Sequence, residues 1–103
     1  MTVKLLALYT RPDDTEAFLA HYHDVHMPLI MKVPGLQKAV VNRVDANLMG
    51  GDPPYFQIAE LHFADRQAFD TAMASPENRA AGKDVMSFAK GLVTMLVVTE
   101  EAA

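Results

Sequence analysis

The chain has 103 residues, half of them hydrophobic, a formal net charge of -4 and no cysteine. That length supports one domain, residues 1–103, with a modest core, and so large a hydrophobic fraction leaves apolar surface for a subunit contact. An acidic balance without any Lys/Arg run argues against nucleic acid as a partner, and the missing cysteines exclude disulfides, thiolate chemistry and Cys-based metal sites.

Residues 2–10, TVKLLALYT, are short and rich in Val, Leu and Tyr, which predicts a strand buried on both faces. The same run is too short for a signal-peptide core with its cleavage site or for a membrane span, so the chain is expected in the cytoplasm. Arg11-Pro12-Asp13-Asp14 makes a turn in which either aspartate can cap a helix over 14–32, with Glu16 in its first turn. At about 100° per residue, Phe18, Leu19, Tyr22, Val25, His26 and Leu29 share one face of that helix. Pro28 has no amide hydrogen to give the Asp24 carbonyl, so the helix must kink or restart there, and Pro34-Gly35 ends it.

Residues 36–45 read as a second strand, and 46–54, which contain Gly50-Gly51-Asp52-Pro53-Pro54, as a loop that either folds over a pocket or merely joins strands. In the third strand, 55–63, Phe56, Ile58, Glu60 and His62 alternate with Tyr55, Gln57, Ala59, Leu61 and Phe63. Asp65 is placed to cap a helix over 66–75, and Ser75-Pro76 to start another over 77–89. Residues 92–99 form the last strand. The order is that of a ferredoxin-like βαββαβ domain, an α+β fold with a four-stranded antiparallel sheet and its helices on one side. Leu6, Leu8, Val41, Met95 and Val97 offer more apolar surface than those helices cover, which predicts a homodimer with facing sheets.

An imidazole and a phenol on an apolar stripe point to chemistry. His26 is the candidate general base or acid, against the alternative of a ring bonded to a carbonyl freed at the kink. Tyr22 is the candidate donor to a developing oxyanion, against an ordinary core tyrosine at i, i+4 from Phe18. Phe18, Leu29, Tyr9 and Phe88 are candidate walls for a substrate. Glu60 and His62 join His26 if their strand face looks toward the helices, and are interface groups if it looks toward a second subunit. His21 and His23 read as solvated or interface residues, and Asp84 as a local cap or pair. His21, His23 and His26 do not share one helix face, so no metal is expected; no cofactor is expected either.

Phe18-x-x-x-Tyr22-x-x-x-His26-x-Pro28-Leu29, followed by Pro34-Gly35-Leu36, Ala59-Glu60-Leu61-x-Phe63 before Asp65, and Asp84-x-x-x-Phe88, resembles the EthD family. The resemblance runs from Val3 to about Val97. It implies the dimeric α/β barrel superfamily, which also holds cofactor-free quinol monooxygenases, polyketide cyclases, muconolactone isomerases and haem-degrading proteins. It further implies a small ligand held between sheet and helices, while EthD proteins themselves are tied to ether degradation by gene context. The residues and the resemblance together predict an enzyme acting on an apolar, aromatic or polyketide-like compound by His26-assisted proton transfer. Cyclisation, decarboxylation, isomerisation and cofactor-free oxygenation all fit that step, and a non-catalytic ligand-binding or accessory protein is the alternative.

Overall fold

A computed structural model describes residues 1–103. Its elements run β1 (Val3–Tyr9), α1 (Thr15–His21), a π-turn (Tyr22–His26), α2 (Met27–Ile30), β2 (Lys38–Arg43), β3 (Gln57–Phe63), α3 (Arg66–Met73), α4 (Pro76–Phe88) and β4 (Val93–Thr99). The four strands pair antiparallel in the order β2-β3-β1-β4, which is the ferredoxin-like arrangement. No helix is long and apolar enough to cross a membrane.

The helix starts follow from side-chain capping. Asp14 accepts from the Ala17 amide at 3.0 Å, Asp65 from Ala68 at 2.8 Å and Ser75 from Asn78 at 3.1 Å, each giving an orphan N–H a partner. The disturbance expected at Pro28 takes the form of a widened turn just before it. The Met27 amide donates to the Tyr22 carbonyl five residues back, and Pro28 then lies in the first turn of α2, where its missing N–H is tolerated. Gly35 closes the segment at φ 78°, a left-handed conformation that a Cβ would strain.

Strand parity sets the two faces of the sheet. Val3, Ala7 and Tyr9 on β1, with Gln57, Ala59, Leu61 and Phe63 on β3, are buried beneath the helices. Two apolar clusters fill that side, one around Phe63, Phe69 and Ile30 and the other around Tyr9, Phe18, Tyr22 and Val85. The alternate residues, among them Leu6, Leu8, Ile58 and Leu96, form the other face, which no element of the chain covers. The strand expected to be buried on both sides is therefore covered on one only. Val41, Met95 and Val97, counted with Leu6 and Leu8 as surplus apolar surface, lie in register with the helix-side residues instead. At the β4 edge, Met95 and Val97 nevertheless stay 43% and 48% exposed.

Candidate active site

The π-turn decides what looks inward. A closed loop of five rather than four residues brings His26 under Tyr22 and pushes Val25 off the face, leaving Tyr22 and His26 buried and Val25 43% exposed. The six-residue stripe expected from a regular helix loses Val25 for this reason. The two aromatic rings lie 5.5 Å apart between centroids.

His26 and Tyr22 line a cavity of about 130 Å³ between the helices and the sheet. Tyr9, Leu61, Ile30, Val85 and Ala81 form much of the remaining wall, and no Lys, Arg, Asp or Glu side chain reaches it. Neither phenol takes part in a side-chain hydrogen bond. Burial pushes the Tyr22 hydroxyl up to about 12, so it remains a donor at neutral pH. The Tyr9 hydroxyl moves up as well, through burial and then the proximity of Tyr22 and Asp84.

Behind His26 stands Asp84 of α4, whose side chain is only 12% exposed. Its Oδ2 lies 2.9 Å from His26 Nδ1 and its Oδ1 lies 2.9 Å from His21 Nε2. Burial alone would raise the Asp84 carboxyl, but the hydrogen bonds from His21 and His26 outweigh it and hold the group below its ordinary value. An ionised carboxylate only accepts, so both imidazoles donate to it, and the free base of His26 is Nε2. Asp84 is thus no local cap. It joins side chains 58 and 63 residues away. The sequence does mark it, because Ala81, Asp84, Val85 and Phe88 fall on one helical face and a carboxylate is out of place there.

Other candidates are placed elsewhere. Phe18 packs inside the core against Tyr9, with centroids 5.3 Å apart, and Phe88 lies behind the site, 5.3 Å from the His26 ring and 4.4 Å from His21. Neither reaches the cavity, and Leu29 borders a shallow outer groove with Lys32 and Pro76. Glu60 and His62 are on the face turned away from the helices. There Glu60 Oε1 is 3.0 Å from His62 Nε2 and 3.6 Å from Lys4 Nζ, while Asn42 donates to Glu60 Oε2 at 2.9 Å. Strand parity therefore removes both from the pocket. No group of three or more His, Asp or Glu side chains is arranged to hold a metal ion.

Desolvation lowers the proton affinity of His26 below its ordinary 6.5, against the raising effect of the Asp84 hydrogen bond. The folded chain then binds fewer protons at this ring than the unfolded chain does, so stability rises with pH through this window. Asp84, held below its ordinary 3.8, acts in the same direction at lower pH. The stability present above pH 6.5 is lost as pH falls, and the urea midpoint is expected to be lower at pH 5 than at pH 7.5 with the slope unchanged. A midpoint that ignores pH over this range would show that His26 is not held neutral.

Comparison with known proteins bears on this geometry. The EthD domain matches residues 11–91. An uncharacterized 11.0 kDa protein of the thcB-thcC intergenic region of Rhodococcus erythropolis is 36% identical over 98 residues, which are 95% of this chain and 94% of that one. The crystal structure of an ethyl tert-butyl ether d (ethd) family protein from Bacillus halodurans is 39% identical with a TM-score of 0.93, over 98% of this chain and 100% of that one. Two further structures share the fold. A dimeric ferredoxin-like protein of unknown function from Jannaschia has a TM-score of 0.70 at 14% identity, covering 97% of this chain and all of its own. SnoaB, a cofactor-independent oxygenase from Streptomyces nogalater, has a TM-score of 0.69 at 15% identity, covering 99% and 95%.

Proposed function

The chain belongs to the EthD family, and from that premise we propose that it is a small-molecule enzyme in which His26 abstracts a proton from a weakly acidic, apolar substrate. One observation carries this reading: a buried imidazole whose Nδ1 is tied to Asp84 at 2.9 Å lines an apolar cavity. The carboxylate fixes the tautomer and orientation of the ring and steadies the imidazolium that forms, while Tyr22 offers its O–H to the negative charge left on the substrate. Low polarity around the cavity strengthens both interactions. Deprotonation is the step shared by isomerisation and cyclisation, and in a decarboxylation the protonated ring would instead return a proton to the carbanion left by loss of CO2. Deprotonation also precedes addition of dioxygen to a carbanion, a reaction class consistent with the description of SnoaB as a cofactor-independent oxygenase.

The working unit of this reading is a homodimer. Leu6, Leu8, Ile58 and Leu96 would pack against the same residues of a second copy, in keeping with the dimeric state stated for the Jannaschia relative in fold.

The test follows hydrogen–deuterium exchange at the α-carbons of cyclohexanone and related ring ketones in D2O by proton NMR. Exchange faster than with an equal concentration of free imidazole, and its loss in His26→Ala, is the expected result. Exchange equally fast in His26→Ala would remove His26 as the base. The predominantly apolar wall favours a second reading, a protein that holds a hydrophobic compound without reacting it, and ligand binding without any exchange would select it.

A further inference from the structure

We infer that the ligand of this cavity is an uncharged oxygen acid built on one six-membered ring, either a phenol or an enolisable cyclic ketone. The inference rests on the reading of His26 as a base and adds to it the size, charge and hydrogen-bonding pattern of the compound.

Size comes from the cavity. Its volume of about 130 Å³ is slightly less than the roughly 150 Å³ of an engineered apolar cavity that holds benzene. One ring fills it. The fused rings of the polyketide-like compound expected from sequence exceed that volume and would protrude through the open side of the cavity, past the exposed Met95, without the apolar contact that the first ring finds. Charge comes from what is missing in the wall. No Lys or Arg lines the cavity to pair with a carboxylate or phosphate, and no Asp or Glu lines it to pair with an ammonium. A charged ligand would enter an apolar wall that holds no permanently charged side chain to offset its loss of hydration.

The polar groups specify the rest. His26 Nε2 can only accept, because Nδ1 is the nitrogen that donates to Asp84. Tyr22 stays protonated and donates. His26 and Tyr22 line the same cavity with their rings 5.5 Å apart between centroids, and a ligand oxygen set between them would give its proton to Nε2 and receive the Tyr22 hydroxyl. The O–H of a phenol satisfies this pattern directly. An enolisable ketone satisfies it with its C–H toward His26 and its carbonyl toward Tyr22. Asn78 is the other polar side chain of the wall; one of its two amide N–H groups goes to the Met73 carbonyl at 3.3 Å, and the second is left to support the same ligand oxygen.

Affinities for phenol, cyclohexanone, anisole, benzoate and 2-hydroxyanthracene, measured by calorimetry and by shifts of the His26 ring signals in NMR, test the inference. Phenol or cyclohexanone should bind tightest. Benzoate, of similar size but charged, and hydroxyanthracene, of the same chemistry but three rings, should bind at least about tenfold more weakly. Anisole, without a proton to give, should be weaker than phenol. Tyr22→Phe should weaken phenol and cyclohexanone more than anisole, whose ether oxygen is the poorer acceptor. Benzoate or hydroxyanthracene binding as tightly as the one-ring acids would overturn the substrate class, as would a failure of all five to bind. The affinity order does not depend on turnover. The expected order without any ketone exchange would sink the base and leave the substrate class, whereas exchange with the order inverted would do the reverse.

Discussion

Asp84→Asn is expected to leave the fold intact and to slow proton abstraction by up to about 10⁴-fold, the scale seen when the carboxylate behind a catalytic imidazole is replaced by its amide. The amide is isosteric, so α4 keeps its packing. What changes is the hydrogen bonding. The carboxylate accepts from His26 Nδ1 and His21 Nε2 at 2.9 Å each, and an amide offers one oxygen where two were used. If the amide nitrogen faces His26, Nδ1 must accept, the proton moves to Nε2 and the base facing the cavity is gone. If the oxygen faces His26, the tautomer survives but the imidazolium loses its counter-charge. The first arrangement leaves the ring unable to start the reaction, and the second makes the charged state costly. Because the Asp84 hydrogen bond raises the proton affinity of His26 while burial lowers it, the substitution should move His26 further down, which an NMR titration of the ring reads independently of rate. Exchange on ring ketones within about tenfold of the wild type would mean that Asp84 only fastens α4 to the kinked helix.

The contrast between Asp84 and its partners shows what can be read from residues in order. Tyr22 and His26 share a helix, so their common direction follows from local periodicity, and Pro28 announces a disturbance in the turn that holds them. The order of strands and helices gives the antiparallel sheet, and turn residues give its punctuation. Asp84 lies 58 residues from His26, and their meeting depends on how α4 is rotated against the π-turn, which no local pattern encodes. A carboxylate on the Ala81, Val85 and Phe88 face was nevertheless a visible anomaly. Glu60 and His62 show the opposite case. Parity left their face open, yet the alternate set, Gln57, Ala59, Leu61 and Phe63, carries no charge and was the better candidate for the helix side. Phe18 and Phe88 were expected as walls because aromatic side chains near a histidine can line a pocket, but here they crowd the back of the site and leave its opening to smaller residues.

The largest effect on stability is expected from Phe63→Ala. Phe63 is 0% exposed at the end of β3, its ring meeting Phe69 edge-on at 5.5 Å within a cluster that includes Val3, Ile30, Leu61 and Ala72. Removing the ring takes away its transfer free energy and leaves a hole walled by strand and helix backbones that cannot close in, a cost of about 3–5 kcal/mol. Domains of this kind have about 5–15 kcal/mol in total, so the variant should show a melting temperature lower by more than about 12 °C and a urea midpoint shifted without change of slope. Leu48→Ala is the control, since Leu48 is 97% exposed and should stay within about 0.5 kcal/mol of the wild type. Ile30 links this core to the proposed site, because it packs in the Phe63 cluster and also lines the cavity beside His26. A void behind Ile30 gives that side chain room to retreat. Phe63→Ala, where it stays folded, should therefore discriminate less sharply between one-ring and three-ring ligands than the wild type does. A loss of stability under about 1 kcal/mol would mean that the helices settle onto the sheet without Phe63, and that the cavity is not held open by a rigid core.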